Sequence, residues 1–375
     1  MLNTAENLGR PILYISNAYQ GDSAVTDYAR KILRVSEVET KMVTFTLTSR
    51  MREKCFGETE QCFKISKGRL KNNRLALATE YVTNKVLLTR TVNHFFNSRI
   101  LTGPNLRVVI HSTDISIPPY TGNRMATVSI HDLIYLKNRI KDLSSKEMRF
   151  SKAFSRYLNE YRKYSHIVAA SNTTKEDIIL EGFNGKVTVI YPGIWPDFYP
   201  IEGVDKTELR RKLGLPIDKV LVLSVSSTDR RKNLKVVSET MAKLGKEYTL
   251  VRVGTPLRDS VTFSGISRET LNLVYNACDV LLSPSLAEGF CLPVAESLTT
   301  GLPVVASDIP IFNEVVSNAG ILVEPTPDKC AVGVREAVSN ESLLRKKGFF
   351  QARKFTFSEF GEKINSHHLS ILNQS

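Results

Sequence analysis

The sequence predicts an α/β protein made of two doubly wound domains that face each other across a cleft. Short apolar runs alternate with helical patterns along the 375 residues, and this alternation indicates parallel sheets covered by helices. A break that contains proline and glycine, residues 191–200, divides the pattern into two sets. Ligands bind such sheets beyond the carboxyl ends of the strands, so we expect functional residues in the loops there.

Length and composition agree with this division. The apolar share of 42% is enough for two domains of ordinary size, each with its own core. We place an N-terminal Rossmann-like domain at residues 1–195, a C-terminal Rossmann-like domain at residues 196–355 and a final helix at residues 356–375.

The composition also predicts a soluble, cytoplasmic protein. No window supplies the roughly 18 apolar residues that a membrane span requires. The start, MLNTAENLGR, lacks the features of a signal peptide. Five cysteines without a CxxC pair fit a reducing compartment better than a disulfide framework.

The positive charge is concentrated in the first half of the chain. Residues 1–200 carry +11 of the net +13, and much of it falls within residues 50–99 around a predicted helix. Such a basic face can dock on anionic lipid, bind nucleic acid or an acidic glycan, or serve only to keep the protein soluble. Among the functional options we favour peripheral association with the inner face of a membrane.

In the N-terminal domain, the run Ile12–Ser16 predicts a strand, followed by a loop and a helix from about Ala24. Gly21 lies in that loop, where a residue without a side chain lets the backbone approach a ligand closely. The loop has no GxGxxG pattern, which argues against a dinucleotide-binding site.

Two later strands of this domain each end in a histidine. The run Val108–Ile110 precedes His111, and the run Ala126–Ile130 precedes His131 and Asp132. A histidine in this position is either a satisfied structural residue or a residue of the cleft. We favour the cleft for His131 and regard His111 as a weaker cleft candidate.

Two further segments of the domain have a structural interpretation. Residues 165–171 predict a strand that leads into a helix capped near Thr173. Residues 186–191 predict a strand that leaves through the Pro192-Gly193 turn, which marks the domain boundary.

In the C-terminal domain, a buried strand ends near Val225 in a polar turn, and a helix starts near Asn233. Arg231 and Lys232 therefore project at the mouth of the sheet. Lysine and arginine in this position can neutralise a diphosphate, arginine with a bidentate fork. The alternative is an ordinary solvated basic turn.

The segment 283–296, SPSLAEGFCLPVAE, has two glutamates eight residues apart around a predicted helix start at Pro293. The backbone N–H groups from Phe290 to Val294 can hold a phosphate, because a helix start leaves them unpaired. Glu288, in the loop, and Glu296, in the first turn, would then contact the hexose and the ribose of a nucleotide sugar. The alternative is a structural capping box at Ser285–Glu288.

These residues resemble those of the retaining GT-B glycosyltransferases of nucleotide-sugar family 4. The segment EGFCLPVAE is similar to their E-x7-E element, with Cys291 where the family usually has glycine. GLPVVAS (301–307), RKNL (231–234) and HDLIY (131–135) are similar to further segments of the family, which extends the resemblance over most of the chain.

The resemblance implies a GT-B fold in which the final helix packs back on an acceptor-binding N-terminal domain, while the C-terminal domain binds the donor. It implies transfer of a hexose from a UDP- or GDP-linked sugar, with retention, to a hydroxyl of a glycan, lipid-linked sugar or glycoprotein. The helix-start amides with Arg231 and Lys232 would stabilise the departing diphosphate and remove the need for a metal, and we expect no cofactor. The catalytic residues expected are His131, Glu288, Lys232 and Arg231. The donor-binding residues expected are Gly289, Phe290, Cys291, Leu292, Glu296 and Gly21.

Two other classes of function stay open. A GT-B nucleotide-sugar epimerase would bind the same nucleotide without an acceptor, and product analysis separates it from a transferase. A non-catalytic basic protein would bind nucleic acid, which a retardation assay across salt concentrations would reveal. The E-x7-E and RKN elements argue against this second class, so we do not expect nucleic acid as a partner.

Overall fold

The computed structural model describes residues 12–18, 24–46, 60–64, 108–113, 126–134, 136, 162 and 164–373. Gly21 and most of the basic segment 50–99 lie outside the described residues. Within the described part, the strands form two separate sheets, and their pairings are parallel. This is the fold class that the sequence predicts.

The strands of the first sheet are β1 (Ile12–Ala18), β2 (Glu39–Thr46), β3 (Glu60–Lys64), β4 (Val108–Ser112), β5 (Ala126–Ile130), β6 (His166–Ala169) and β7 (Lys186–Val189). Their order is β3-β2-β1-β4-β5-β6-β7, so the chain winds outward in both directions from β1 and β4. Strands β5 and β6 are buried along their whole length, which is typical of a parallel sheet covered on both faces.

The strands of the second sheet are β8 (Val220–Val225), β9 (Tyr248–Val253), β10 (Ser260–Phe263), β11 (Val280–Ser283), β12 (Val304–Ser307) and β13 (Ile321–Val323). Their order is β10-β9-β8-β11-β12-β13, which reverses direction between β8 and β11. The loops that follow β8 and β11 therefore lie side by side at the point where ligands bind such sheets.

The described α-helices are α1 (Ala24–Val35), α2 (Asn172–Leu180), α3 (Lys206–Leu213), α4 (Leu234–Leu244), α5 (Arg268–Ala277), α6 (Leu292–Thr300), α7 (Pro310–Val315), α8 (Pro327–Ser339), α9 (Glu341–Ala352) and α10 (Phe357–Leu372). None of them combines the length and the apolarity that crossing a membrane would require. The predicted start of α1 at Ala24 is confirmed. The cap of α2 is Ser171, whose side chain accepts from the amide of Thr174, so the prediction of a cap near Thr173 is wrong by two residues.

Helix α10 packs back on the first sheet, as the resemblance implies. Phe360 and Ile364 of α10 share a core with Tyr28 of α1 and Val109 of β4. Gly361 lies against Val35, where an added Cβ would come within 3.2 Å of the valine side chain. The last helix of the chain therefore completes the layer of helices on the first sheet.

Four histidines lie buried in the layer between α10 and the first sheet. The ring of His111 contacts His368 (Nδ1 to Nε2, 2.9 Å) and Ser129 (Nε2 to Oγ, 2.7 Å), and the ring of His367 lies 6.1 Å from that of His166. Burial, with neighbouring histidines, lowers the pKa of His367 and of His368 to about 3 and that of His111 well below its usual value. The cleft position considered for His111 is therefore wrong.

The two sheets are joined by what we call the interdomain clasp, formed by Asp27 of α1, Trp195 and Arg268 of α5. Trp195 Nε1 donates to both carboxylate oxygens of Asp27 (3.0 and 2.9 Å), and Arg268 Nη2 donates to Asp27 Oδ1 at 2.6 Å. The guanidinium of Arg268 stacks 4.3 Å above the Trp195 ring. The clasp therefore ties the first domain to the second at one side of the space between them.

A second contact between the domains caps α2. Glu314 of α7 accepts from the backbone amides of Asn172 (2.6 Å) and Thr173 (3.0 Å), which begin that helix. A carboxylate is favourable at this position because it complements the positive end of the helix dipole.

Candidate active site

A cavity of about 290 Å³ lies between the two domains, beyond the carboxyl ends of the strands. This volume is just below the range of roughly 300–1,000 Å³ that is typical of ligand pockets. The first domain and the crossing contribute Tyr28, Lys31, His131, Asp132, Ala170 and Pro192 to its lining. The second domain contributes Arg231, Lys232, Glu288, Gly289, Phe290, Cys291, Leu292 and Pro293. The structure thus brings most of the predicted site residues to one place.

Arg231, Lys232 and Glu288 form a charge cluster in the wall of this cavity. Lys232 Nζ lies 2.5 Å from Glu288 Oε1, and Arg231 Nη1 donates to Glu288 Oε2. The side chain of Lys232 is 12% exposed, that of Arg231 19% and that of Glu288 4%, so the ion pairs are largely shielded from water. Burial alone would lower the pKa of Arg231, but the charges of Glu288, Asp132 and Asp229 outweigh it and raise that pKa.

The local sequence explains why the two cations project here. Residues 230–232 form a 3-10 turn whose first amides are capped by Asp229, which accepts from the amide of Arg231 at 3.1 Å. Asn233 then adopts a left-handed conformation (φ 55°) and donates to the carbonyl of Pro284. The amide of Leu286 donates to the carbonyl of Arg231 at 2.7 Å. These bonds fix the loops after β8 and β11 against each other.

Helix α6 begins at Leu292, one residue earlier than predicted, and ends at Thr300 with Gly301 as its cap, as predicted. Cys291 precedes it in the left-handed region (φ 75°), which a residue with a Cβ adopts only under strain. A glycine, which the resembling family usually has here, would adopt this conformation without strain. No helix begins at Ser285, so the capping-box alternative is wrong.

The amino end of α6 leaves fewer amides for an anion than the sequence suggests. The amide of Val294 donates to the carbonyl of Cys291 at 3.1 Å, and Pro293 has no amide hydrogen. The amides of Phe290, Cys291 and Leu292 have no acceptor in the described part of the chain. These three N–H groups, at the positive end of a helix, are suited to an anion.

Gly289 brings the second domain into direct contact with His131. A Cβ at this position would lie 2.1 Å from the carbonyl oxygen of His131, so only glycine fits there. His131 itself is half-buried, with its ring packed edge-on against Tyr28 and its Nε2 3.0 Å from the carbonyl oxygen of Thr113. Because a carbonyl only accepts, Nε2 carries the proton in this contact. The contact therefore fixes both the tautomer and the orientation of the imidazole.

Glu296 lies in the second turn of α6 rather than in the first turn, because the helix begins at Leu292. Its Oε2 accepts from the hydroxyl of the buried Tyr275 at 2.7 Å. Burial raises the pKa of Glu296 to about 7, and Tyr275 and Lys31 counteract only part of this effect. This carboxyl group therefore changes its charge near neutral pH.

The other predicted donor-binding residues have different positions. Phe290 is 5% exposed, and its ring packs against Phe355 and Tyr191, so the ring is not available to a ligand. Leu292 is half-buried and lines the cavity. Gly21 lies outside the described residues.

Three residues of the site were missed from the sequence. Lys31 lines the cavity although it is only 2% exposed, and its Nζ lies 3.4 Å from Asp27 Oδ2. Tyr275 orients Glu296 from α5. Arg252 donates from beneath the loop after β8 to the carbonyls of Ser224, Ser226 and Val253. A cation inside the apolar strand YTLVRV is the one visible signal for Arg252, and no motif indicates the other two.

Comparisons with known proteins agree with this geometry. Residues 205–348 match the family model described as Glycosyl transferases group 1. The chain is 28% identical over 208 residues to an uncharacterized glycosyltransferase of Methanocaldococcus jannaschii. This match covers 49% of this chain and 53% of that protein. It is 25% identical over 280 residues to an O-antigen chain mannosyltransferase of Salmonella typhimurium. This match covers 69% of this chain and 70% of that protein. The chain thus matches only about half the length of the first relative.

Among solved structures, the sucrose-phosphate synthase of Thermosynechococcus elongatus superposes with a TM-score of 0.75, covering 98% of this chain and 100% of that chain. Its sequence identity of 17% shows the fold alone. Residues 205–348 are therefore similar to the glycosyl transferases group 1 family, and the two Rossmann-like domains of the chain form the GT-B fold.

Proposed function

We propose that the chain transfers a hexose from a nucleoside-diphosphate sugar to a hydroxyl acceptor, with retention at the anomeric carbon. The observation that carries the proposal is the interdomain cavity lined by Arg231, Lys232, Glu288 and the amino end of α6. The family model and the glycosyltransferase relatives support it, and the mannosyltransferase among them makes mannose the first hexose to test.

In the proposed donor complex, the diphosphate lies against the amides at the start of α6 and beside Arg231 and Lys232. Both cations pair with Glu288 in the structure. A diphosphate offers them more negative charge than one carboxylate, so we expect both to turn toward it on binding. They would then stabilise the negative charge that develops on the leaving group, which is the largest contribution that such sites make.

This arrangement also underlies our proposal that no metal ion is required. A divalent cation in such a reaction would neutralise the phosphates of the leaving group. Two side-chain cations and a helix start offer the same neutralisation at the same place.

The remaining residues contact the two sugars. Glu288, released from its cations, would accept from hexose hydroxyls and shield the positive charge that develops at the anomeric carbon. His131 faces it across the cavity, with its orientation fixed by Thr113. Glu296 would accept from the ribose hydroxyls as a carboxylate, and a charge-assisted bond of this kind contributes about 1.5–3 kcal/mol.

The acceptor would bind the first domain. Gly21 and the basic segment 50–99 belong to that part of the proposal, with the segment contacting an anionic membrane surface near a glycan or lipid-linked acceptor. We propose the cytoplasmic side of the membrane as the place of reaction.

Isothermal titration of UDP, GDP and ADP, with a chelator present, tests the donor site. We expect selective binding of one nucleotide by the wild-type protein and its loss in Glu296→Ala. Absence of binding to all three would overturn the proposal. With the donor identified, the configuration of the product, measured by NMR, tests retention, and release of an epimerised nucleotide sugar without transfer would establish an epimerase instead.

A further inference from the structure

A second charged surface lies on α9 and the 3-10 turn that follows it, outside the lining of the cavity. Between residues 341 and 354 the chain has five cations and a single acid, Glu341, which pairs with Lys206 at 3.2 Å. Within the part of the chain that the structure describes, none of the five cations forms an ion pair. These cations are Arg345, Lys346, Lys347, Arg353 and Lys354, and we call them, with Leu343 and Phe350, the basic stripe.

Two large apolar side chains stand exposed within the basic stripe. Leu343 is 52% exposed and Phe350 is 68% exposed. Residues 343, 346 and 350 fall on one face of a helix, so Lys346 lies between the two apolar side chains. The guanidinium of Arg353 lies 5.8 Å from the ring of Phe350. The outer face of α9 therefore alternates cations with apolar groups.

The inner face of α9 holds the helix firmly in the second domain. Leu344 is 5% exposed, and Gly348 packs against Leu298 of α6. The side-chain amide of Gln351 donates to the carbonyls of Glu314 and Val315 at 3.1 and 3.0 Å. Turning the exposed side chains inward would break these contacts, so the basic stripe is a fixed part of the surface.

We propose that the basic stripe docks the protein on an anionic lipid surface, with Leu343 and Phe350 entering the interface and the cations contacting lipid phosphates. Charge and shape both favour this partner. A stable protein interface needs about 800 Å² on each side with an apolar centre poor in lysine, and one helix face with two apolar side chains does not supply it. A lipid interface accepts an alternation of aromatic side chains and long cationic stems.

The position of the basic stripe links this docking to the cavity. The stripe ends in the turn Arg353–Phe355, and the carbonyl of Phe355 accepts from the amide of Ile194 in the domain crossing at 2.8 Å. The ring of Phe355 lies 5.2 Å from that of Phe290, which lines the cavity. Docking would thus hold the second domain, with its side of the cavity, at the lipid surface, and this contact does not require residues 50–99.

Sedimentation with vesicles tests the proposal. The probes are vesicles of phosphatidylcholine with phosphatidylglycerol and vesicles of phosphatidylcholine alone, and the full-length protein is compared with K346E/R353E, with F350S and with K246E/R258E. The last variant has the same change in net charge at exposed residues outside the stripe. Nucleotide affinity and melting temperature, measured for each variant, show that the fold is kept.

We expect the wild-type protein to bind the anionic vesicles and not the neutral ones. One cation near an anionic surface changes the partition coefficient about five-fold, so K346E/R353E should lose about 25-fold or more. Removing the buried phenyl ring in F350S should cost about ten-fold. K246E/R258E should stay within about two-fold of the wild type.

Three outcomes would overturn the proposal. The first is no binding of the wild type to anionic vesicles, which would leave an acidic protein as the partner of the basic stripe. The second is unchanged binding of K346E/R353E, which would assign the membrane contact to other residues. The third is an equal loss in K346E/R353E and K246E/R258E, which would indicate attraction by net charge alone.

Discussion

Glu288 and Glu296 belong to one short stretch of chain, yet their surroundings differ completely. Glu288 contacts two cations, Arg231 and Lys232, which belong to the loop after β8. Glu296 contacts the hydroxyl of Tyr275, and burial raises its pKa to about 7. Of the two glutamates, Glu288 is thus held by ion pairs, whereas Glu296 changes its charge near neutral pH.

This difference indicates two separate tasks. Arg231 and Lys232, the two cations beside Glu288, are suited to an anion whose negative charge increases during a reaction. The carboxyl group of Glu296, which already accepts from the hydroxyl of Tyr275, is suited to binding neutral polar groups such as hydroxyls. The substitutions below test this separation, beginning with the largest effect.

Lys232→Ala should lower turnover about 10³-fold, because it removes one of the two cations that face the proposed leaving group. Affinity for the acceptor should stay unchanged. Initial-rate kinetics measure both quantities. Lys235→Ala is the control, since Lys235 is 84% exposed on α4. Turnover of Lys232→Ala within ten-fold of the wild type would remove Lys232 from the mechanism.

Glu288→Gln should lower turnover about 10²-fold while leaving the affinity for the nucleoside diphosphate equal or tighter. The reason is that both Arg231 and Lys232 lose the carboxylate that competes with the diphosphate for them. Kinetics and titration of the diphosphate separate the two effects. Loss of diphosphate affinity equal to that of Glu296→Gln would contradict the separation of tasks.

Glu296→Gln should weaken nucleotide binding about ten-fold at pH 8, because an amide accepts from ribose without the charge of a carboxylate. Wild-type affinity should rise between about pH 6 and pH 8 as Glu296 ionises around its pKa of about 7. Titrations across this range should show a smaller rise for Glu296→Gln, in which the terminal phosphate of the nucleotide still ionises. A parallel rise in both proteins would assign the titration to another group.

The same substitution should stabilise the protein without ligand by about 1–2 kcal/mol at pH 8. The folded-state pKa of about 7 lies above the ordinary glutamate value of 4.5, so the fold favours the neutral acid. The contribution of Glu296 to the free energy of unfolding is fully present below pH 4.5 and is lost as the pH rises to about 7. The gain in unfolding free energy should therefore vanish near pH 4.5. His111, His367 and His368, whose pKa values burial lowers, weaken both proteins equally below pH 6.5, so their effect cancels in the difference.

Cys291→Gly should change the free energy of unfolding by less than about 1 kcal/mol, because relief of the left-handed strain is offset by the entropy of glycine in the unfolded chain. Cys291→Val, with a branched Cβ at φ 75°, should lose about 2 kcal/mol. Urea unfolding measures both variants. Equal stability of all three proteins would show that this position carries no strain.

The sequence predicts those parts of the site that neighbouring residues determine. The glutamate pair and the Pro293 helix start occupy one stretch, and the adjacent pair Arg231 and Lys232 lies in one loop, so spacing alone indicates their chemistry. The start of α6 was misplaced by one residue, because the left-handed Cys291 allows the helix to begin before the proline.

Contacts between distant segments could not be predicted in this way. The bond from Arg268 to Asp27 joins residues 241 positions apart, and its partners depend on how the two domains pack. The same holds for His111, since its partner His368 comes from the last helix. A strand-end histidine looks alike in the sequence whether it faces a cleft or a covering helix.

The return of α10 to the first sheet has a consequence for the order in which the protein folds during synthesis. The core beneath Tyr28 and Val109 needs Phe360 and Ile364, which are synthesised after the second domain. The second domain needs no such late segment between β8 and α9, because its strands and covering helices are contiguous in the chain. Domains fold as units once their residues are available. We therefore expect the domain encoded second to reach its native packing first, while the nascent first domain waits for its closing helix.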